Sequence, residues 1–412
     1  MSRKAKAPKG TFDILPADSR ARERVEGAAA AVFARAGFGR IETPVFEDTE
    51  LFHRSVGEST DIVQKEMFTF DDLGGRSITL RPEGTAAVCR AYVEHGMHKL
   101  PQPVKLWYSG PFFRYEAPQA GRYRQFHQIG AETIGSDDPL ADAEQIMLLS
   151  DLLAELAVPG VKLHLASLGS THARAEYRDD LQRYLREHEG EISGEVRSRI
   201  DANPLRAFDA KDEATRRVME GAPKLIDRLA GEDLEHFGEV RGMLDTGGID
   251  YEIDPTLVRG LDYYTRTVFA FTAEGLGAQS EIGGGGRYDG LVAELGGPET
   301  AAVGWAAGIE RILLALGESA KAERSDVFIV AAEPAQRRAA LALASELRHA
   351  GLVANLDLAG RSLKGQLKQA DRSGARYTAI LEGGGATLRD MGSGEQREVD
   401  VARLADELRE GR

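Results

Sequence analysis

Two hydrophobic rhythms run along this chain, one of helical period and one of period two. Residues 19–36 are alanine-rich with apolar positions at helical spacing, and Gly37 follows as a stop signal. Residues 40–46 read as a short strand whose Pro44 cannot donate a ladder hydrogen bond, which suits an edge. Segments 67–71 and 77–81 flank Gly74 and Gly75 as a hairpin, and a helix is expected from near Thr85. The period then falls to two. In KLWYSGPFFRYEAPQAGRYRQFHQIGAE, residues 105–132, two strands are predicted around a turn-rich loop holding Pro118, Gly121, Arg122 and Arg124. Tyr108 pairs with Gly110, and Arg114 with Glu116, on one face of a continuous strand; Phe126, Gln128, Gly130 and Glu132 share a face of the next.

A helix is predicted over 139–156 and a strand over 162–167. Residues 172–237 are helical in pattern, strongly charged and broken at Asn203, Pro204 and Pro223, which reads as a helical module inserted between strands, its charge mostly a solvated surface. Strand signals return at 251–254 and in LVRGLDYYTRTVFAF, residues 257–271; extended, Tyr263 and Tyr264 point to opposite faces and at most one lines a site. The four glycines of SEIGGGGRYDGLV fit neither a Walker loop nor a dinucleotide fingerprint, and let strands or a ligand pack without side chains. Residues 301–316 read as a strand feeding a helix, with Arg311 in its first turns either ion-paired at the surface or turned back towards a nucleotide. Beyond a polar linker at 317–324, strands at 326–331, 353–356 and 377–381 alternate with helices at 335–350 and 363–373, the pattern of a small separate α/β domain.

Composition narrows the function. The single cysteine, Cys89, rules out an internal disulfide and a multi-cysteine metal site; it suits a reducing, cytoplasmic setting and reads as a buried apolar residue. No apolar run approaches the ~20 residues of a membrane span, and the basic start has no apolar segment behind it. The net charge is −14, yet residues 325–412 hold 13 Lys and Arg against 13 Asp and Glu, so the excess acidity lies upstream. Within that acidic part, residues 81–124 carry 7 basic side chains against 3 acidic ones. A basic island in an acidic protein points to a defined anionic ligand. In the last domain Arg361, Lys364, Lys368, Arg372 and Arg376 recur at intervals of 3, 4, 4 and 4, which makes either a solvated helical face or a phosphate track.

Taken in order, KGTFDILP, the segment around Pro44, RPEGT at 81–85, FRYEAPQAGRYRQFHQIGAE, LVRGLDYYTRTVF, SEIGGGGRYDGLV and GWAAGIER resemble the motifs of the histidyl-tRNA synthetases, class II aminoacyl-tRNA synthetases, over nearly the whole length. The resemblance implies an α+β fold: a six-stranded antiparallel catalytic sheet with a helical insertion, and a C-terminal α/β anticodon-binding domain. It divides the chain into 1–170 and 241–320 for the catalytic core, 171–240 for the insertion and 325–412 for the anticodon-binding domain. It implies a homodimer built partly around Pro44, and L-histidine, ATP and tRNA(His) as partners. Mg²⁺ would arrive on ATP rather than in a protein cage, with no tightly bound cofactor.

The resemblance also assigns roles. Arg114 and Arg259 would be catalytic, stabilising charge at the α-phosphate. Arg122 and Arg311 would grip the outer phosphates and flank an adenine stacked on Phe126, with Glu116 near its amino group. Glu83 and Gln128, with Thr85 close by, would orient the amino and carboxylate groups of histidine, while Glu132, Tyr264 and Tyr263 read its imidazole. Read locally, Thr85 is equally a plain helix N-cap. Gln119 and Arg124 would meet the acceptor end of tRNA, and Arg361, Lys364 and Lys368 its anticodon stem. Ala117 stands at a commonly basic position of the motif loop, and the connection after Leu381 is short. The nearest rival resemblance is the regulatory paralogue of ATP phosphoribosyltransferase, which typically lacks the last domain and has lost signature residues that are present here.

Overall fold

The period-two stretches form the centre of the molecule. The computed structural model describes residues 4–57, 60–258, 260–276, 280–317, 325–383 and 385–410, in two compact units, 1–320 and 321–412. In chain order the strands of the first unit are β1 (Gly39–Arg40), β2 (Phe46–Asp48), β3 (Phe68–Asp71), β4 (Ser77–Leu80), β5 (Val104–Phe113), β6 (Gln125–Ile134), β7 (Lys162–Ser167), β8 (Glu252–Ile253), β9 (Thr265–Thr272), β10 (Glu281–Arg287) and β11 (Ala302–Gly308). Eight of them form one sheet in the order β1-β5-β6-β11-β10-β9-β7-β8. The central six are antiparallel throughout, as expected, and the two-residue strands β1 and β8 add parallel edges.

Register decides which face each side chain takes. Trp107, Ile129, Ala131, Trp305 and Ala307 point to one face, where the helices Pro16–Arg35, Pro139–Glu155, Gly231–Thr246 and Ile309–Leu316 cover them in an apolar core. The alternate residues Tyr108, Phe126, Gln128, Glu132, Gly304 and Ala306 line up across β5, β6 and β11 on the opposite face. The glycine run serves this geometry. Gly285 lies opposite Trp305, and a Cβ there would sit 2.0 Å from the Gly304 carbonyl and 2.6 Å from the Trp305 Cβ. A side chain on that strand would displace the tryptophan that anchors the helical layer.

Two expectations are corrected. Residues 40–46 do not form one strand: β1 ends at Arg40, and β2 begins at Phe46 in a separate sheet ordered β2-β4-β3. Arg81 holds the Pro44 segment out of the ladder, its Nη1 donating to the Thr43 carbonyl at 2.9 Å and hydroxyl at 3.0 Å, and its Nε to the Pro111 carbonyl at 2.9 Å. The period-two reading of 105–116 also runs too far, since β5 stops at Phe113 and leaves Arg114 and Glu116 on the loop.

The inserted module is helical as its pattern implied, with helices Thr171–Glu187, Gly194–Arg197 and Glu213–Glu220. The next helix, Gly231–Thr246, packs Phe237, Val240 and Leu244 into the core behind the sheet. The second unit holds β12 (Val327–Ala331), β13 (Ala354–Leu356), β14 (Tyr377–Glu382), β15 (Gly385–Asp390) and β16 (Gln396–Val399), ordered β13-β12-β14-β15-β16, with helices Arg337–His349 and Leu363–Arg372. Its last two strands are antiparallel additions to a parallel trio. Most of the linker, residues 318–324, lies outside the described residues.

Candidate active site

A cavity of about 1000 Å³ opens on the polar face of the large sheet. Ten residues singled out from sequence line it: Glu83, Thr85, Arg114, Glu116, Arg122, Phe126, Gln128, Tyr263, Tyr264 and Arg311. The helical module closes another side through residues that include Arg199, Asn203 and Arg206. Arg259 lies outside the described residues. Gln119 is exposed on the motif loop, while Arg361, Lys364 and Lys368 belong to the second unit.

One end of the cavity is cationic and aromatic. Arg114 is fixed by its Nε, which donates to the Pro82 carbonyl at 2.9 Å, and its guanidinium lies 5.4 Å from the centre of the Phe126 ring. Arg122 pairs with Glu116 at 3.1 Å across the loop. Arg311, in the first turn of the helix Ile309–Leu316, donates through Nε to the Glu281 carbonyl, and burial pulls its pKa down. Three guanidinium groups and an aromatic face suit a polyphosphate carrying a flat base. Arg124 is placed differently. Its guanidinium stacks 3.6 Å from the centre of the Tyr115 ring, and its Nε donates to the Glu116 carbonyl at 3.3 Å, so it braces the loop from within.

Behind the other end, under the lining residues Thr85 and Tyr108, lies a buried carboxyl that does not itself line the cavity. Glu132 has no solvent exposure; the Thr85 hydroxyl donates to its Oε1 at 2.9 Å, Tyr108 to the same oxygen at 3.3 Å, and Tyr288 to Oε2 at 2.5 Å. Burial, opposed by these hydroxyl bonds, pushes its pKa up to about 8. Its neighbour across β11 is Gly304, where a Cβ would meet Glu132 Oε2 at 1.6 Å. Only glycine leaves room for the carboxyl.

Thr85 is therefore not the N-cap of its helix. Gly84 occupies that position, and the Glu83 carboxylate accepts from the backbone N–H groups of Thr85 at 2.7 Å and Ala86 at 2.9 Å. Burial raises the Glu83 pKa, and those two backbone bonds oppose it. Nearby, Gln128 Oε1 is buried without a hydrogen-bond partner, an acceptor aimed into a polar cavity. Tyr263 and Tyr264 both line the cavity, contrary to the strand reading, because residues 261–263 turn and β9 begins only at Thr265. Their rings lie 4.7 Å apart, and Tyr263 meets Tyr288 edge-on at 5.6 Å.

Tyr108 and Tyr288 were missed as site residues. Tyr108 shares its strand face with Gly110, which was visible in the alternation; Tyr288 follows the glycine run by one residue past β10, with no local signal that its hydroxyl reaches Glu132. Cys89 is buried with its thiol pKa raised by burial, as an inert apolar residue should be. Among the described residues no cluster of His, Cys, Asp and Glu could hold a metal ion, and no helix is long and apolar enough to cross a membrane.

A family model described as "Histidyl-tRNA synthetase" matches residues 10–312, and one described as "Anticodon binding domain" matches 326–411. This chain belongs to the histidyl-tRNA synthetase family. It is 47% identical over 412 residues to a histidine–tRNA ligase of Halothermothrix orenii, covering 98% of each chain. It is 49% identical over 411 residues to the one of Desulforudis audaxviator, again covering 98% of each. A crystal structure of apo S. aureus histidyl-tRNA synthetase superposes with a TM-score of 0.82 at 37% identity, covering 98% of this chain and 100% of that one. The synthetase-type α+β architecture and the separate C-terminal α/β domain thus agree with the family membership.

Proposed function

We infer that this chain is a histidine–tRNA ligase: it joins L-histidine to ATP, forming histidyl-adenylate and pyrophosphate, and passes the histidyl group to the 3′ end of tRNA(His). The observation that carries this reading is one cavity with an arginine-lined aromatic end and, at its other end, Thr85 and Tyr108, whose hydroxyls bond the Glu132 carboxyl buried behind them. In the first step a histidine carboxylate oxygen attacks the α-phosphorus and the bond to the β,γ-bridged pyrophosphate breaks. Charge gathers on the phosphoryl oxygens, so fixed cations and alignment do most of the work. Arg114, held rigid by the Pro82 carbonyl, takes the α-phosphate, and the family motif assigns Arg259, outside the described residues, to the same phosphate. Arg122 and Arg311 take the outer phosphates; Phe126 stacks the adenine and Glu116 meets its amino group. Mg²⁺ enters as MgATP.

Glu83 and Gln128, with Thr85 close by, orient the amino and carboxylate groups of histidine, and the unpartnered Oε1 of Gln128 supports its part. Glu132 and Tyr264 read the imidazole, with Tyr263 alongside. A pocket that meets the imidazole nitrogens with hydrogen-bonding groups rejects apolar analogues strongly. In the second step a hydroxyl of the terminal ribose attacks the acyl carbon and AMP leaves. Gln119, exposed on the motif loop, meets that end of the tRNA, with Arg124 bracing the loop that presents it, and Arg361, Lys364 and Lys368 meet its anticodon stem. We place the enzyme in the cytoplasm as a homodimer, with the Pro44 segment at the seam.

Amino-acid-dependent exchange of pyrophosphate into ATP, run without tRNA across all the amino acids, tests the reading. Exchange with histidine alone is the expected result. Folded protein that exchanges with none would move the chain to the regulatory paralogue.

A further inference from the structure

The charge on the helical module reads in sequence as a solvated surface, but part of it turns inward. Arg174, on the helix Thr171–Glu187, donates through Nη1 to the carbonyl of Tyr264 and, at 3.3 Å, to that of Asp262. Asn203, elsewhere in the module, donates through Nδ2 to Asp262 Oδ1 at 2.9 Å. Arg199 and Arg206 reach Asp61 at 2.9 and 3.2 Å. Burial alone would raise the Asp61 pKa; the two arginines outweigh it, and it is lowered.

The segment so held is the turn at 261–263 and the residue after it. That turn precedes β9 and has no sheet neighbour to fix it; on its far side the Asp262 N–H donates to the Val56 carbonyl at 3.3 Å. It carries Tyr263 and Tyr264, and their ring contacts continue through Tyr288 to Glu132. A mechanical path therefore runs from the module through two backbone carbonyls to the carboxyl at the end of the pocket.

We propose that Arg174 and Asn203 are positioning residues for histidine: by holding the Asp262–Tyr264 segment, Arg174 at its backbone carbonyls and Asn203 at the Asp262 carboxylate, they make the seating of the helical module set how well the pocket takes an imidazole. This rests on the histidine–tRNA ligase reading, and it extends recognition to the helical module that holds the tyrosine turn. A shift of the module moves the tyrosine turn, while the arginine end, fixed by Pro82 and Glu281, stays where it is.

The test is pyrophosphate exchange with Arg174→Ala, Asn203→Ala and Arg174→Lys. Exchange by the unaltered enzyme with histidine tests the activity on its own, so a failure there is separate from a failure of the variants. Each alanine variant should raise KM for histidine about tenfold, the order expected for one hydrogen bond of this kind, and leave KM for ATP within about twofold. Arg174→Lys should recover part of the loss by reaching one of the two carbonyls. The double alanine variant should fall short of the product of the single effects, because both act on one turn. Arg217→Ala is the control. Its Nη2 donates to Glu213 Oε1 at 3.0 Å on an exposed face of the helix Glu213–Glu220. Its KM for histidine should not move. An unchanged KM for histidine in folded Arg174→Ala, equal rises in both KM values, or the same rise in Arg217→Ala would overturn the proposal.

Discussion

Glu132 offers a test in which stability and function move in opposite directions. Its carboxyl keeps its proton up to about pH 8 in the folded protein, against a usual value of 4.5. Between those values the folded chain holds a proton that the unfolded chain has released. Folding then takes up a proton, and stability falls as pH rises, by about 1.4 kcal/mol per pH unit and roughly 5 kcal/mol across the whole window. Below pH 4.5 both states are protonated and the penalty is absent. Glu132→Gln removes the titration while keeping the shape. Its amide NH₂ replaces one oxygen, so one of the hydroxyls of Thr85, Tyr108 and Tyr288 must turn from donor to acceptor, a pH-independent cost of about 1 kcal/mol. The variant should therefore gain on the unaltered protein as pH rises from 5 to 8, and Glu83, present in both, cancels from the difference.

Urea unfolding followed by tryptophan fluorescence reads this directly. The two tryptophans, Trp107 and Trp305, both sit in the core of the first unit, so the signal reports that unit alone. Histidine-dependent exchange should fall steeply in the same variant, since an amide reads an imidazole differently from a carboxyl. Parallel stability curves for the two proteins between pH 5 and 8 would refute the reasoning and place the Glu132 pKa near its ordinary value.

Other expectations follow from the same geometry. Gly304→Ala puts a Cβ 1.6 Å from Glu132 Oε2, so histidine-dependent exchange should fall at least a hundredfold while circular dichroism is retained; near-normal KM for histidine would contradict the placement of that carboxyl. Arg287 is fully buried and pairs with the equally buried Asp142, with further bonds to the Ser136 and Asp138 carbonyls at 2.9 and 3.2 Å. Arg287→Met should cost about 3–5 kcal/mol in urea unfolding by leaving the buried Asp142 with only His236, 3.7 Å away, and adding Asp142→Leu should restore much of it. Lys364→Glu with Lys368→Glu, two exposed positions one turn apart on the helix Leu363–Arg372, should weaken tRNA charging and flatten its salt dependence without altering pyrophosphate exchange.

Much of the site was legible because period-two alternation is a local property. Once β5 and β6 are strands, Phe126, Gln128 and Glu132 must share a face, and the core residues Ile129 and Ala131 must take the other. The alternating units of the last domain were readable for the same reason, although β15, which alternates only at Ala386 and Leu388 and lies in the segment read as a short connection, and the polar β16 were not. The motif order carried the family, because each block is weak alone and the set is specific.

What stayed hidden depends on neighbours remote in sequence. No local rule tells that Arg81 would pull the Pro44 segment off a strand, that residues 261–263 would turn and bring both tyrosines to one cavity, or that Thr85 would leave capping to Gly84 and Glu83. The amino-acid sequence by itself determined most of the strands and helices, the faces that residues within β5 and β6 take, and the family. Tertiary structure alone decided that three hydroxyls from distant segments close on Glu132 and that the module grips the tyrosine turn. The reason is physical: periodicity is fixed by backbone geometry over a few residues, whereas burial and hydrogen-bond partnership are fixed only when the sheet assembles.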